Sequence, residues 1–280
     1  MNSSSSSPNP DIVNESALPV EDPPHRASAP SGCMQWVGVV CATIWIVGAT
    51  AFLTLAGILV FPFLFLALCL AKRWSTVRCT TFLVWVYGRF WLALTWPFTR
   101  FERRGLDSAQ FDTPSILVLN HLSFFDSFLL GALPDFAATF ALRSWPFRMP
   151  WFRPFMNLAH YVDMESLAWD EIEIRARECF ADGRHLMIFP EGHRSRDGRM
   201  GRFHSGAFKL ACTLGVPVIP LCIRGTDKLL PPGRFWLAPA KVSLTFLEPI
   251  LPTAFSGELA HAELRRVVKE RILEAYRKDE

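Results

Sequence analysis

Residues 115–126 read Ser115-Ile-Leu-Val-Leu-Asn-His121-Leu-Ser-Phe-Phe-Asp126. The apolar run 116–119 is too short for a helix face and predicts a strand buried on both sides. Asn120 and His121 leave it at the carboxyl end, and Asp126 follows five positions after the histidine. Open α/β sheets place ligands outside the carboxyl ends of their strands. An imidazole there suits a general base, and the carboxylate suits the group that orients it.

Moving outward, strand and helix signals alternate. A helix is expected over 125–133, stopped near Pro134, then a strand over 137–142. The 145–155 segment carries Pro146, Pro150 and Pro154 among aromatics and arginines, which predicts a loop. In a helix over 167–181, Ile172, Ala176, Cys179 and Phe180 share a face, and Gly183 stands beyond its end. Strands follow over 186–189, 218–223 and 242–246, with a short helix at 206–214 and a charged amphipathic helix at 258–277. This alternation predicts an α/β domain over 105–280, a mainly parallel sheet flanked by helices.

The amino-terminal third differs. Residues 1–33 are rich in Ser and Pro without periodicity, which predicts a disordered tail. No residue from 36 to 71 is charged. As one straight helix that run would reach about 54 Å, against a hydrocarbon core of about 30 Å spanned by about 20 residues. The 34–72 segment is therefore read as a membrane-embedded helical segment: one tilted span, two short spans divided near 57–62, or an interfacial hairpin.

Over 73–104, arginines alternate with Trp85, Tyr87, Phe90, Trp91 and Trp96, which suits an interfacial helix, a helix packed on the following domain, or one face of each. Lys72, Arg73, Arg78, Arg89, Arg100, Arg103 and Arg104 oppose a lone Glu102, whereas residues 1–33 are net acidic. The positive-inside tendency then puts the following domain on the cytoplasmic face of the membrane. A formal charge of +3 gives no argument for nucleic acid, and the seven cysteines show no metal-binding spacing.

Three further segments carry candidate chemistry. Phe189-Pro190-Glu191-Gly192-His193-Arg194-Ser195 follows another predicted strand. Pro190 ends the strand, Gly192 permits close backbone approach, and Arg194 offers a planar fork of donors suited to phosphate. Phe203-His-Ser-Gly206-Ala-Phe-Lys-Leu-Ala211 opens a small helix at Gly206, and Gly215-Val-Pro-Val-Ile-Pro220 enters a strand.

In this order and spacing the four segments resemble the phospholipid/glycerol acyltransferase family, which includes enzymes acylating 1-acylglycerol-3-phosphate. The resemblance runs over about 115–250. It implies His121 and Asp126 as catalytic residues and Glu191, Gly192, Arg194 and Ser195 as acceptor- or phosphate-binding, with Asn120, Pro190, Gly206 and Pro220 as secondary candidates. It also implies a lipid hydroxyl as acceptor and an acyl-CoA or acyl-carrier-protein thioester as donor, with no metal or other cofactor. The Gly192 amide is a candidate donor to the oxyanion. The chain departs from the family where an Ile/Val-Asp-Arg triplet is usual: Val162-Asp163-Met164 lacks the arginine, and Arg143, Arg148 and Arg153 are the cations available to replace it. His193 and His204 stand where Thr and Lys are usual. The Met164 departure keeps open a different lyso-lipid acceptor, such as a lyso-aminolipid, and a catalytically silent lipid-binding protein is the alternative from another class.

Overall fold

The structure, a computed structural model, describes residues 32–109, 111–150, 152–195 and 199–278. The tail expected over 1–33 lies outside the described residues, apart from Gly32 and Cys33 at the start of the first helix. In chain order the elements are α1 (Cys33–Ala71), α2 (Thr76–Leu94), β1 (Thr99–Arg104), β2 (Ile116–Leu119), β3 (Ala138–Leu142), α3 (Arg153–Leu158), β4 (Val162–Asp163), α4 (Trp169–Ala181), β5 (His185–Ile188), α5 (Gly206–Leu214), β6 (Val218–Arg224), α6 (Thr226–Leu229), β7 (Ala240–Phe246) and α7 (Ala260–Lys278). A 3-10 helix, Phe124–Ala132, follows β2.

The strands form one sheet in the order β1-β7-β6-β2-β5-β3-β4. Five neighbour pairs are parallel and β6–β7 is antiparallel, so the sheet is mixed. The carboxyl ends of β2, β3, β4, β5 and β6 share one rim, joined there by the amino ends of β1 and β7. Helices cover both faces, as expected for a sheet with two apolar sides. One core packs α4, α5 and α7 on Ile116, Val118 and Leu186; the other packs the 3-10 helix on Leu117, Leu119 and Met187.

Three expectations change. Residues 99–104, assigned to the interfacial region, are instead the edge strand β1, paired with β7 from Thr99↔Ala240 onward. Their charges belong to an exposed edge, where Glu102 pairs with Arg104 and Lys241. The 145–155 loop contains a 3-10 turn, Pro146–Arg148, and the start of α3, each with proline in its first turn, where the missing N–H costs nothing. Finally, α1 continues through Pro62 without dividing.

The helix α1 lies antiparallel along α2. Trp45 Nε1 donates to the Leu94 carbonyl (2.7 Å), Trp91 Nε1 to Thr50 Oγ1 (2.9 Å), and the Thr54 and Tyr87 hydroxyls meet at 2.8 Å. Its amino-terminal part sits on the domain, with Ala42 and Ile46 buried against Trp91, Phe125, Leu229 and Leu237. The opposite face leaves Phe52, Leu55, Leu59, Phe63, Leu66 and Leu70 exposed.

Two glycines set how closely α2 approaches the 3-10 helix. A Cβ on Gly88 would meet the Gly131 amide at 2.8 Å, and one on Gly131 would strike the Gly88 and Arg89 backbone closer still. Backbone cannot yield as a side chain can. Gly131→Ala is therefore expected to destabilise the fold by about 1–3 kcal/mol, in the range of overpacked cores, read as a lowered midpoint in denaturant titration of the detergent-solubilised protein. A midpoint equal to that of the parent chain would contradict this packing.

Candidate active site

The rim begins where β2 ends. Asn120 is fully buried, and its side-chain amide acts as one more strand residue: Nδ2 donates to the Ile223 carbonyl (2.9 Å) and Oδ1 accepts from the Ile223 amide (2.7 Å). This splices the end of β2 to β6 and fixes the chain direction at His121. The turn that follows is closed by Asp126, whose Oδ2 accepts from the amides of Leu122 (2.7 Å) and Ser123 (2.9 Å). The Ser123–Asp126 pair forms the capping box of the 3-10 helix.

The same oxygen lies 2.8 Å from His121 Nδ1. A carboxylate held by two amides and buried at 0 % exposure accepts from Nδ1–H, which places the lone pair of the ring on Nε2. Nε2 carries no protein partner among the described residues. The imidazole is 19 % exposed and stacks on Phe189 with centroids 4.4 Å apart. The ring is thus fixed on one side and open at the nitrogen that a base needs.

The backbone of His121 is held from a second direction. Its amide donates to Glu191 Oε1 (2.7 Å), and its carbonyl accepts from the Ser195 amide (2.8 Å). Glu191 Oε2 accepts from the Gly201 amide (2.6 Å). Burial raises the Glu191 carboxyl above its ordinary range, and these two amides only partly offset it. Both Glu191 oxygens thus accept from backbone amides, Oε1 from His121 and Oε2 from Gly201, so the side chain expected at the acceptor ties two backbone segments together.

Gly192 also departs from expectation. Its amide donates to the Phe189 carbonyl (3.1 Å) and so closes the turn instead of facing an oxyanion. Its φ of +69° is left-handed, and His204 and Arg143 lie against the position a Cβ would take. The positive φ calls for glycine; the His204 and Arg143 atoms are at ordinary contact distance and would not by themselves exclude a Cβ. Arg194 is exposed on this turn, one residue from the Ser195–His121 contact.

The secondary candidates are mostly framework. The Pro190 carbonyl accepts from the His204 amide (2.8 Å), and Gly206 opens α5 beside the Met164 methyl. Pro220 is buried in mid-sheet opposite Val118, away from the rim.

Position 164 is settled by packing: Met164 lies against the core that holds α4 and α5. The cation that composition alone could not place is Arg143. It follows β3, and because Leu142 pairs with Asp163 it stands beside position 164 on the neighbouring strand. Its Nε meets Glu165 Oε1 at 2.5 Å, and Nη1 reaches to 3.5 Å from the Gly192 carbonyl. Asp163 holds this corner. Burial would raise its carboxyl, but hydrogen bonds from the Ser144 hydroxyl and the Glu165 and Ser166 amides outweigh burial and keep it below the ordinary range.

Another buried carboxyl lies nearby. Asp227, in α6 just past the end of β6, is raised chiefly by burial, with the Asp126 charge adding to the effect. Among the described residues, no group of three or more His, Cys, Asp or Glu side chains is disposed to hold a metal ion.

Comparison with known proteins adds family information to this geometry. Residues 100–224 match the family described as Acyltransferase. A chloroplastic 1-acyl-sn-glycerol-3-phosphate acyltransferase, BAT2, of Brassica napus is 33% identical over 151 residues, 52% of this chain and 44% of that protein. A 1-acyl-sn-glycerol-3-phosphate acyltransferase of Pseudomonas aeruginosa is 26% identical over 156 residues, 54% of this chain and 57% of its own length. The chain thus spans about half the length of these curated relatives. The crystal structure of the 1-acyl-sn-glycerophosphate acyltransferase PlsC from Thermotoga maritima superposes with a TM-score of 0.69 at 25% identity, covering 88% of this chain and 97% of that one.

The clasp yields a prediction independent of any substrate. In Asp126→Ala that one oxygen is gone, and with no acceptor at Nδ1 the ring reverts to the Nε2–H tautomer that a free neutral imidazole favours. Ring ¹⁵N shifts of His121 are expected to report Nδ1–H in the parent and Nε2–H in the variant. The same tautomer in both proteins would contradict the clasp.

Proposed function

We propose that this chain, whose residues 100–224 match the family described as Acyltransferase, transfers a fatty acyl group from a coenzyme A or acyl-carrier-protein thioester to the free hydroxyl of 1-acylglycerol-3-phosphate. The observation that carries the proposal is the clasped His121, with Nε2 open at the rim. A thioester already has a competent leaving group, because a thiol ionises near pH 8.5 and an alcohol is far less acidic. The difficulty lies in making the acceptor hydroxyl nucleophilic. Nε2 takes the hydroxyl proton as the oxygen attacks the thioester carbonyl, and Asp126 stabilises the resulting imidazolium. Collapse of the tetrahedral adduct breaks the C–S bond, and the departing thiolate takes the proton from the imidazolium. No acyl-enzyme forms.

The acceptor phosphate is assigned to Arg194 and Arg143, on two sides of the Gly192 turn. Arg143 takes over from the missing triplet arginine; its contact with the Gly192 carbonyl and its place beside position 164 support this. A planar guanidinium suits a phosphate better than an imidazole does. The second reading, a lyso-lipid without a terminal phosphate, rests on Met164 and is decided by the same assay.

The substrates are lipids, and the membrane contact is assigned to the α1–α2 pair. Because the amino-terminal part of α1 is buried on the domain and its remainder is bonded along α2, an interfacial hairpin fits better than an upright span. The exposed apolar face of α1 enters the acyl layer, and Arg78 and Arg89, each over a tryptophan of its own segment, lie at headgroup depth. The basic residues Lys72, Arg73, Arg78 and Arg89 support the cytoplasmic face for the domain.

Purified protein given a labelled thioester and a panel of lyso-lipid acceptors is expected to acylate 1-acylglycerol-3-phosphate best. His121→Ala should cut turnover by roughly 10²–10⁴-fold, the usual contribution of a general base. Near-normal transfer by the folded variant would refute the assignment. Arg143→Gln is expected to raise KM for the phosphate-bearing acceptor about tenfold or more, the cost of one charge-assisted contact, with donor KM unchanged. Preference for a phosphate-free acceptor would instead favour the second reading.

A further inference from the structure

We propose that the loop joining α6 to β7 is a second lipid-inserting element, with Phe235 as the side chain that enters a phospholipid bilayer. The inference rests on the membrane reading given above and adds a site to it. The loop reads Leu230-Pro-Pro-Gly-Arg-Phe-Trp-Leu-Ala-Pro239. It leaves the sheet after β6 and returns at Ala240 opposite Thr99, so it belongs to the rim that carries His121.

The loop is braced. The Leu237 amide donates to Thr43 Oγ1 of α1 (2.8 Å), Ala238 N to the Leu229 carbonyl (3.0 Å), and Arg234 N to the Pro231 carbonyl (3.0 Å). Leu229 and Leu237 are buried with Ala42 and Ile46 of α1. On that support Phe235 is 96 % exposed. A flexible loop would be expected to fold such a ring onto the surface; here the anchors on either side hold it outward.

The surroundings identify the occupant. Trp236 packs on Trp36 in the first turn of α1 at 5.6 Å, and Arg234 lies over the Trp236 ring at 4.8 Å. From Trp36 the exposed side chains Val40 and Ile44 continue one face of α1. The phenyl ring is therefore the tip of an apolar surface continuous with the helix assigned to the acyl layer. Tryptophans and an arginine sit at its base, where the headgroups would lie. That order matches an anionic phospholipid surface. Two anchors at separate points of the rim fix its tilt as well as its depth, which presents Nε2 of His121 to hydroxyls at the interface.

The test places the photocrosslinking residue p-benzoylphenylalanine at position 235, 63 or 251 of the full chain. Each protein is mixed with vesicles of phosphatidylcholine containing one-third phosphatidylglycerol. Position 63 is on the outer face of α1; Leu251 is exposed beside the Val218↔Ile250 bridge, at the opposite end of the sheet. Lipid adducts are expected at 235 and 63 and not at 251. Adducts at 63 without 235 overturn the loop proposal and leave the membrane reading intact. Adducts at neither overturn both, and equal labelling at all three shows that the loop is no special contact. In parallel, Phe235→Asp should weaken vesicle partitioning at least about tenfold, as expected from withdrawing one buried phenyl ring, while turnover of a short-chain acceptor in detergent stays unchanged. Parent-like partitioning would also overturn the proposal.

Discussion

A single carboxylate oxygen, Oδ2 of Asp126, receives the amides of Leu122 and Ser123 and faces Nδ1 of His121. The turn, the cap of the 3-10 helix and the tautomer of the imidazole therefore depend on one atom. The arrangement also explains the spacing: a carboxylate five residues on reaches back over one turn to the ring and to the amides that start the helix.

Around this point the protein separates holding from binding. Glu191 holds the His121 amide with one oxygen and the Gly201 amide with the other, and the Gly192 amide closes its own turn. Directing Glu191 into the structure has an electrostatic consequence. On the proposed function, a carboxylate aimed at the acceptor would repel its phosphate, whereas one capped by amides leaves the approach to Arg143 and Arg194. Glycine serves a mechanical purpose elsewhere: Gly88 and Gly131 let α2 approach the helix that carries Asp126 at backbone distance. The α1–α2 pair and the turn that carries His121 are thereby packed as one body, so that, on the proposed membrane reading, orientation at the membrane is carried directly to His121.

Much of this was legible in the chain itself. The bounds of β2 and α5 match the apolar run 116–119 and the Gly206–Gly215 signals, because both are local patterns enclosed by strong terminators. The α/β alternation gave the architecture, though not the antiparallel β7, whose direction depends on a long connection and not on its own residues. β1 was hidden because an edge strand bearing Arg100, Glu102, Arg103 and Arg104 lacks the hydrophobic alternation that marks a strand. Side-chain type identified Glu191 and Gly192 as special but did not reveal which way they face. Arg143 could be named only as one of three cations, since its proximity to the site follows from the β3–β4 register, a pairing between distant segments.

The central claim is that a neutral imidazole, oriented by a buried carboxylate, removes the acceptor's proton. Its most direct test is chemical rescue of the protein in which position 121 is alanine. Free imidazole added to that variant is expected to restore acyl transfer in proportion to its concentration and to leave the parent protein unchanged. Parent-level transfer by the folded alanine variant without imidazole, or equal stimulation of both proteins, would contradict it.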